Sequence, residues 1–309
     1  MELEQSTEQL TGVTPTPAAV PATQDHSART ISPQVDTGTC ATCGSPVGSN
    51  ADGGVTYPYV YAIGRVVHRF PTLGVEKEVA QALGRGDTKG LTDQQAVASA
   101  LKQHRYLARR VCYVLTSGDL ETYILQPRDP MDLDLLIDAI RPGNDSDALD
   151  VVIGMRGPLA PPEMCNGLMV PIVVFDQMYS FDRTTHRNAI PRSANVPEDQ
   201  FTATADEVLA RVMQMTDNAG ATDEDRALNY LALRYDKIYA ETANRHGGGE
   251  SFSGIEVRTA PLAGARKLVD VVFSYTNRST DVVDKQSVRV DVTEEFPFLV
   301  TRLSPYLDR

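Results

Sequence analysis

The chain has 309 residues and 41% hydrophobic content, enough to bury roughly 70 to 75% of the surface an unfolded chain of this size exposes, as one large domain or two modest ones. Its formal charge of -12 excludes a general binder of phosphate backbones, which needs clustered Lys and Arg, so nucleic acid is not an expected partner. No run of about 18 apolar residues occurs, and Met1-Glu-Leu-Glu4 lacks the positive and apolar stretches of a secretory signal; a cytoplasmic protein without membrane contact is expected.

Residues 1–39 are rich in Thr, Pro, Ala, Ser and Gln, as in Thr14-Pro-Thr-Pro-Ala-Ala-Val-Pro21. Such a composition buries too little apolar area to offset the entropy of ordering, which predicts a disordered tail ahead of a single domain over 40–309. Gly48-Ser-Asn-Ala-Asp-Gly-Gly54 reads as a flexible connection. Beyond it, β-branched and aromatic residues predict a strand over 59–67, and apolar residues at helical spacing predict a helix over 73–83 that Gly84 stops. Thr92 leads an Asp-Gln-Gln turn into helical composition at 96–101. Residues 109–115 and 121–125 are β-rich runs around Thr116-Ser-Gly-Asp119, a hairpin turn. A short acidic helix is expected from Pro130 to Ile140, ended by Pro142.

Val151-Val-Ile153 and residues 168–175 have the length of buried strands, with Pro171 pushing the second towards an edge or bulge. A proline-stiffened loop, Gly157-Pro-Leu-Ala-Pro-Pro-Glu-Met-Cys165, lies between them. Phe201, Ala205, Val208, Leu209, Val212 and Met213 fall on one face of a helix introduced by Asn195 and Pro197. A second helix is expected from Thr222-Asp-Glu-Asp225 to Gly247-Gly-Gly249, with Leu228, Leu231, Tyr235 and Ile238 as its buried stripe. Runs at 255–259, 267–275 and 288–293, separated by turn residues at 261–264 and 277–281, predict an antiparallel meander. Segregated strands and helices give an α+β fold: a mixed or antiparallel sheet, a helix pair and a C-terminal meander behind the tail.

Cys40-Ala-Thr-Cys43 has the short spacing with which one turn supplies two thiolates to a tetrahedral zinc, each about 2.3 Å from the metal. Cys112 and Cys165 are the remaining thiols, so a structural zinc held by Cys40, Cys43, Cys112 and Cys165 is one expectation. Such a site contributes on the order of 10 kcal/mol of apparent binding energy. Two other readings stay open: Cys112 and Cys165 as small buried hydrophobes beside a surface Cys-x-x-Cys turn, and a thiol-disulfide redox pair. A nucleophilic Cys165 would need a base brought by folding, with His186 the nearest downstream. Asp217, Asn218, Asp223, Glu224 and Arg226 gather polar groups at a helix junction, either as caps with an Arg-carboxylate brace or as a peptide-binding site, for which Asp217, Asn218, Asp223 and Arg226 are the candidates. Glu294-Glu295 reads as a solvated edge after the last strand. Gly84-Arg-Gly86 lacks the third glycine of a dinucleotide fingerprint, and no His-Glu-x-x-His pattern occurs.

Four segments carry a family resemblance: Tyr59-Val-Tyr-Ala-Ile-Gly-Arg65, Pro161-Pro-Glu-Met-Cys-Asn-Gly-Leu168, Asp217-Asn-Ala-Gly-Ala-Thr-Asp223 with Arg226-Ala-Leu-Asn-Tyr-Leu-Ala232, and Asp291-Val-Thr-Glu-Glu-Phe-Pro-Phe-Leu-Val300. Together they resemble the C-terminal domain of unknown role shared by PatA and PatG, the cyanobactin maturation proteins, over about residues 40–309. No Gly-Thr-Ser-x-Ala nucleophile segment is present, so the subtilisin-like protease of those proteins is not implied. The resemblance implies a non-catalytic accessory protein in the biosynthesis of ribosomally made, post-translationally modified peptides. Its partners would be a precursor peptide or a modifying enzyme, and a homodimer is compatible with it. The competing expectations are a peptide-modifying enzyme that uses a metal or Cys165, and a scaffold for a biosynthetic complex.

Overall fold

The computed structural model describes residues 58–85, 90–141, 147–192, 196–213, 218–260 and 265–306; the predicted tail and the Cys40-x-x-Cys43 turn lie outside them. The chain opens with β1 (Tyr59–Arg69), then α1 (Leu73–Arg85), α2 (Asp93–Gln103) and the short α3 (Arg105–Ala108). The Thr92 hydroxyl accepts from the Gln95 amide while the Gln95 side chain accepts from the Thr92 amide, a reciprocal cap that fixes where α2 starts. A hairpin follows, β2 (Cys112–Ser117) and β3 (Leu120–Pro127). Gly118 and Asp119 sit at its tip with φ of 54° and 68°, the left-handed pair that a two-residue turn needs to match strand twist. A 3₁₀ turn (Pro130–Asp132), α4 (Leu133–Asp138), β4 (Ala148–Leu159) and β5 (Pro171–Asp182) complete this half.

These five strands form a closed barrel in the order β1-β2-β3-β5-β4. All neighbours are antiparallel except β3 and β5, which run parallel from Ile124↔Ile172 to Pro127↔Phe175. The register between β4 and β5 shifts at Gly154; a Cβ there would stand 2.3 Å from the Val174 carbonyl oxygen, so only glycine fits. One set of strand side chains, including Val60, Ala62, Tyr113, Leu115, Val152 and Phe175, merges with residues of α1–α4 into a single core.

The second half has α5 (Arg183–Ala189), α6 (Glu198–Met213), α7 (Asp223–Arg234) and α8 (Lys237–Gly247), then β6 (Glu250–Thr259), β7 (Leu268–Asn277), β8 (Val283–Asp291) and two short strands, β9 (Phe298–Leu299) and β10 (Ser304–Pro305). The sheet runs β10-β8-β7-β6 with β9 also on β8, all antiparallel. Phe201, Val208, Leu228, Leu231 and Ile238 of the helices pack on Val269, Val271, Phe273, Val288 and Val290. No helix among the described residues is long and apolar enough to cross a membrane.

The α+β class, the helices beside the sheet and the terminal meander are therefore as the sequence predicts. Three features differ. The mixed sheet closes on itself through the parallel β3–β5 pair; Pro171, in keeping with its expected place at an edge or bulge, opens β5 where the register with β4 shifts between Arg156 and Leu159, a position where its missing N–H is tolerated. The single helix expected over 222–247 is two, because Tyr235 leaves helical geometry (φ -126°, ψ 82°). Its hydroxyl accepts from the Leu303 amide at 3.0 Å, a tertiary contact that competes with continuing the helix. The acidic segment from Pro130 begins as a 3₁₀ turn capped by the Asp129 carboxylate and becomes α-helical only at Leu133.

Candidate functional site

Folding brings Cys112 and Cys165 together as a disulfide pair with their Cα atoms 6.0 Å apart. Cys165 is fully buried, and both sit among Val114, Ile124 and Ala160 beneath the loop of residues 160–170. His186 is elsewhere: its ring lies between Phe181 and Tyr239 at 5.5 and 6.2 Å, with Nε2 3.3 Å from the Ala232 carbonyl, and burial lowers its pKa. Neither access nor this base is provided to the Cys165 sulfur.

The polar junction ahead of α7 is built into the fold. On one side of β1, β4 pairs with Tyr59 to Gly64; on the other, β2 reaches only from Arg65 to Arg69, so β1 has an uncovered edge at Tyr61. That edge is closed by residues 218–220 and by α7. The Tyr61 amide donates to the Gly220 carbonyl at 2.9 Å, and the buried Asn229 amide donates to the Tyr61 carbonyl at 2.8 Å. Asn229 and Asn218 exchange hydrogen bonds at 2.8 and 3.0 Å, and the Gly220 amide donates to Asn218 Oδ1 at 3.2 Å. Gly220 has φ of 69°, and a Cβ on it would be 2.2 Å from the Tyr61 oxygen, which dictates glycine. The Tyr123 hydroxyl adds a bond to the Ala219 carbonyl at 3.0 Å.

One α-helical turn onwards, Arg226 is 2% exposed. Its guanidinium donates to the carbonyls of Val292 at 2.9 Å and Glu295 at 3.2 Å, and to that of Glu294. It meets the Asp223 carboxylate at 3.3 Å and lies 5.4 Å from the Tyr59 ring centre. Burial lowers its pKa, opposed by Asp223. Of the candidate peptide-binding residues, Asn218, Asp223 and Arg226 are thus brought to one junction with bonds inside the molecule, and Asp217 lies outside the described residues. Thr222 caps α7 by accepting from the Asp225 amide at 3.0 Å.

Two charged groups escape sequence reasoning. Asp150 is fully buried in β4, where it accepts from the Val66 amide at 2.8 Å, Ser180 at 2.6 Å and Arg141; burial pushes its pKa up against those partners. Glu294 is exposed, as expected, whereas Glu295 is partly buried. Burial and the neighbouring Asp176 of β5 push its carboxyl up to about 7, and the Asp176 carboxylate is itself held by the Arg128 guanidinium at 2.8 Å. No local pattern signals either environment, since the neighbours come from separate strands.

The sheet leaves a long edge at β6. The Ala260 amide donates to the Leu268 carbonyl, and by the alternation of antiparallel ladders the N–H and C=O groups of Ile255, Val257 and Thr259 point outward. No described residue bonds to them. Side chains close only the ends of this edge: Arg211 donates to the Ser253 carbonyl at 3.3 Å and Thr259 Oγ1 donates to Glu224 at 2.8 Å.

With this architecture in hand, the comparison with known families is decisive: the family described as the PatG Domain matches residues 59–248, more than half of the chain. The chain belongs to the PatG Domain family. The family described as PatG C-terminal matches residues 195–306, so the barrel lies within the first assignment and the sheet largely within the second. A solved structure described as "PatG Domain of Unknown Function" is similar to this PatG-domain chain with a TM-score of 0.65 and 19% sequence identity, over 81% of this chain and 99% of that one. That likeness shows a shared fold. None of the curated proteins matches the chain.

Because three carbonyls and a carboxylate converge on one guanidinium, Arg226→Lys is expected to cost about 2–4 kcal/mol, since a single ammonium cannot reproduce the fork. Urea denaturation checks it, and a variant within about 0.5 kcal/mol of wild type would contradict the assigned role.

Proposed function

We propose that this PatG-domain protein is a non-catalytic accessory protein in the maturation of ribosomally made peptides of the cyanobactin kind. In this reading it docks an extended precursor peptide along β6. The observation that carries it is the edge at Ile255, Val257 and Thr259, where outward backbone groups are ready to pair with a strand. Strand addition draws affinity from main-chain hydrogen bonds and tolerates varied side chains, which suits a precursor whose core sequence varies. Glu256 and Arg258, ion-paired on the exposed face, flank the docked strand and keep the edge soluble. The edge ends beside Glu224 and Asp223 of α7, so the predicted polar junction borders the docked peptide. Asn218 and Arg226 act in this account by positioning α7.

The test is titration of a fluorescein-labelled precursor peptide into the purified protein, followed by mass analysis of the peptide. Binding without a change in mass is expected, and Val257→Pro should weaken it by about tenfold or more, because proline deletes an outward donor but no β6–β7 bond. Unchanged affinity in that variant, or conversion of the peptide to a product of new mass, would overturn the reading.

Within the same proposal, Cys40, Cys43, Cys112 and Cys165 are the candidate ligands of a structural zinc. Two things support it: the two-residue spacing in the sequence, and the approach of Cys112 to Cys165, which in their reduced form offer two adjacent thiolates. Protein purified under reducing conditions should carry about one zinc per chain, and Cys40→Ser should lose it. Metal-free, fully folded wild type would remove the zinc site and leave the peptide-docking proposal standing.

A further inference from the structure

The Cys112–Cys165 pair ties two parts of the barrel together across β3. Cys112 opens β2 and Cys165 lies in the loop that leads into β5; in the strand order, β3 stands between those two strands. Val114 and Ile124 share the pair's apolar cluster, alternating along their strands with Tyr113, Leu115, Tyr123 and Leu125 of the main core. The two sulfurs differ in access. Cys165 is fully buried, whereas Cys112 is 7% exposed and lines a cavity of about 360 Å³ that Met164 borders and Cys165 does not. Leu125, Leu133 and Leu136 give the cavity an apolar wall, while Arg109 and Arg110 supply two cations, with no carboxylate among its described lining residues. Arg110 stands 4.0 Å from Glu78, and the Arg109 guanidinium has no hydrogen bond or ion pair to a described residue. Reactive sulfurs sit in accessible, electropositive surroundings, and sulfurs buried among apolar groups are inert, which singles out Cys112.

We propose that Cys112 is a redox modification site, at which a small anionic thiol enters the cavity and opens the Cys112–Cys165 bond. The incoming thiolate attacks Cys112 Sγ and forms a mixed disulfide there. The bond between the two cysteine sulfurs breaks, and its electron pair leaves with Cys165, which takes up a proton from water. A second thiolate attacks the outer sulfur of the mixed disulfide, so Cys112 departs as a thiolate and the two small thiols leave as their own disulfide. The protein pair is reduced by two electrons and the two thiols are oxidised. In the closed state the loop is held down at this point, with Cys112 Sγ 3.4 Å from the Met164 carbonyl oxygen. Once the bond is cut, residues 160–170 keep their internal bonds, from the Gly167 amide to the Pro162 carbonyl at 2.7 Å and from the Ala160 amide to the Val170 carbonyl at 2.9 Å, but lose their covalent anchor to β2.

The test uses the full chain, stripped of metal with a chelator so that the outcome is separate from the zinc proposal, and then oxidised. After brief treatment with limiting glutathione and an acid quench, peptide mass mapping should find the mixed disulfide on Cys112 about tenfold or more over Cys165. Per thiolate, mercaptoethanesulfonate should reduce the pair about tenfold faster than cysteamine, and Arg109→Gln should narrow that gap. Hydrogen–deuterium exchange at residues 160–170 should rise by about tenfold or more on reduction, while residues 283–291 of β8 keep their rates. An oxidised protein without the Cys112–Cys165 bond, glutathione chiefly on Cys165, or equal rates for the two thiols would overturn the proposal. So would loop exchange that ignores the redox state or rises no more than that of β8.

Discussion

Strand β1 is covered on one side by β4, while on the other β2 falls short of Tyr61, leaving a backbone donor and acceptor that no strand can reach. A buried amide and carbonyl without partners would cost about 1–3 kcal/mol each. The chain meets both with groups from far along the sequence, the Gly220 carbonyl and, 168 residues away, the Asn229 side chain. The barrel and the helix-backed sheet are thereby one body, because the element that completes the first is the helix that packs on the second. Tyr230 shows the same dual membership, contributing to the apolar cluster around Tyr61 and to that of the sheet. Arg226, one turn before Asn229, extends the joint to the carbonyls after β8.

This arrangement shapes what the molecule can do. Arg226, Asn218, Asn229 and Asp150 are the kinds of residue from which active sites are made, yet each is engaged with backbone groups or side chains of its own chain, and Cys165 is buried against Cys112. Buried polar networks of this kind help specify a unique packing. The backbone groups of Ile255, Val257 and Thr259 at the β6 edge, by contrast, are bonded to no described residue. The unpaired edge of β6 on this body is the observation on which the proposed accessory role rests.

Much of the fold was legible because it follows local rules. Thr92 and Gln95, Gly118 and Asp119, the stripe from Phe201 to Val212 and the alternation around Val288 and Val290 each act within a few residues, and the structure places elements there. The closed barrel was not legible: β3 and β5 pair in parallel with β4 lying between them in sequence, and apolar runs such as 151–153 read alike in open and closed sheets. The break at Tyr235 was hidden because Leu228, Leu231 and Ile238 keep helical spacing across it, and its cause, the Leu303 amide, is remote. In the candidate site, the crowding of Asn218, Asp223 and Arg226 was visible, whereas their partners at Tyr61, Val292 and Glu295 were not. Asp150 is the plainest case, since its partners Val66 and Ser180 lie in two other strands.

The central claim is that the Tyr61 joint makes barrel and sheet a single cooperative unit, and differential scanning calorimetry of wild type and Asn229→Ala tests it most directly. The account predicts one transition for wild type, with calorimetric and van't Hoff enthalpies in agreement. For the variant it predicts a loss of about 2–4 kcal/mol and a broadened or split endotherm as the halves uncouple. An Asn229→Ala protein that melts in one transition at the wild-type midpoint would contradict it.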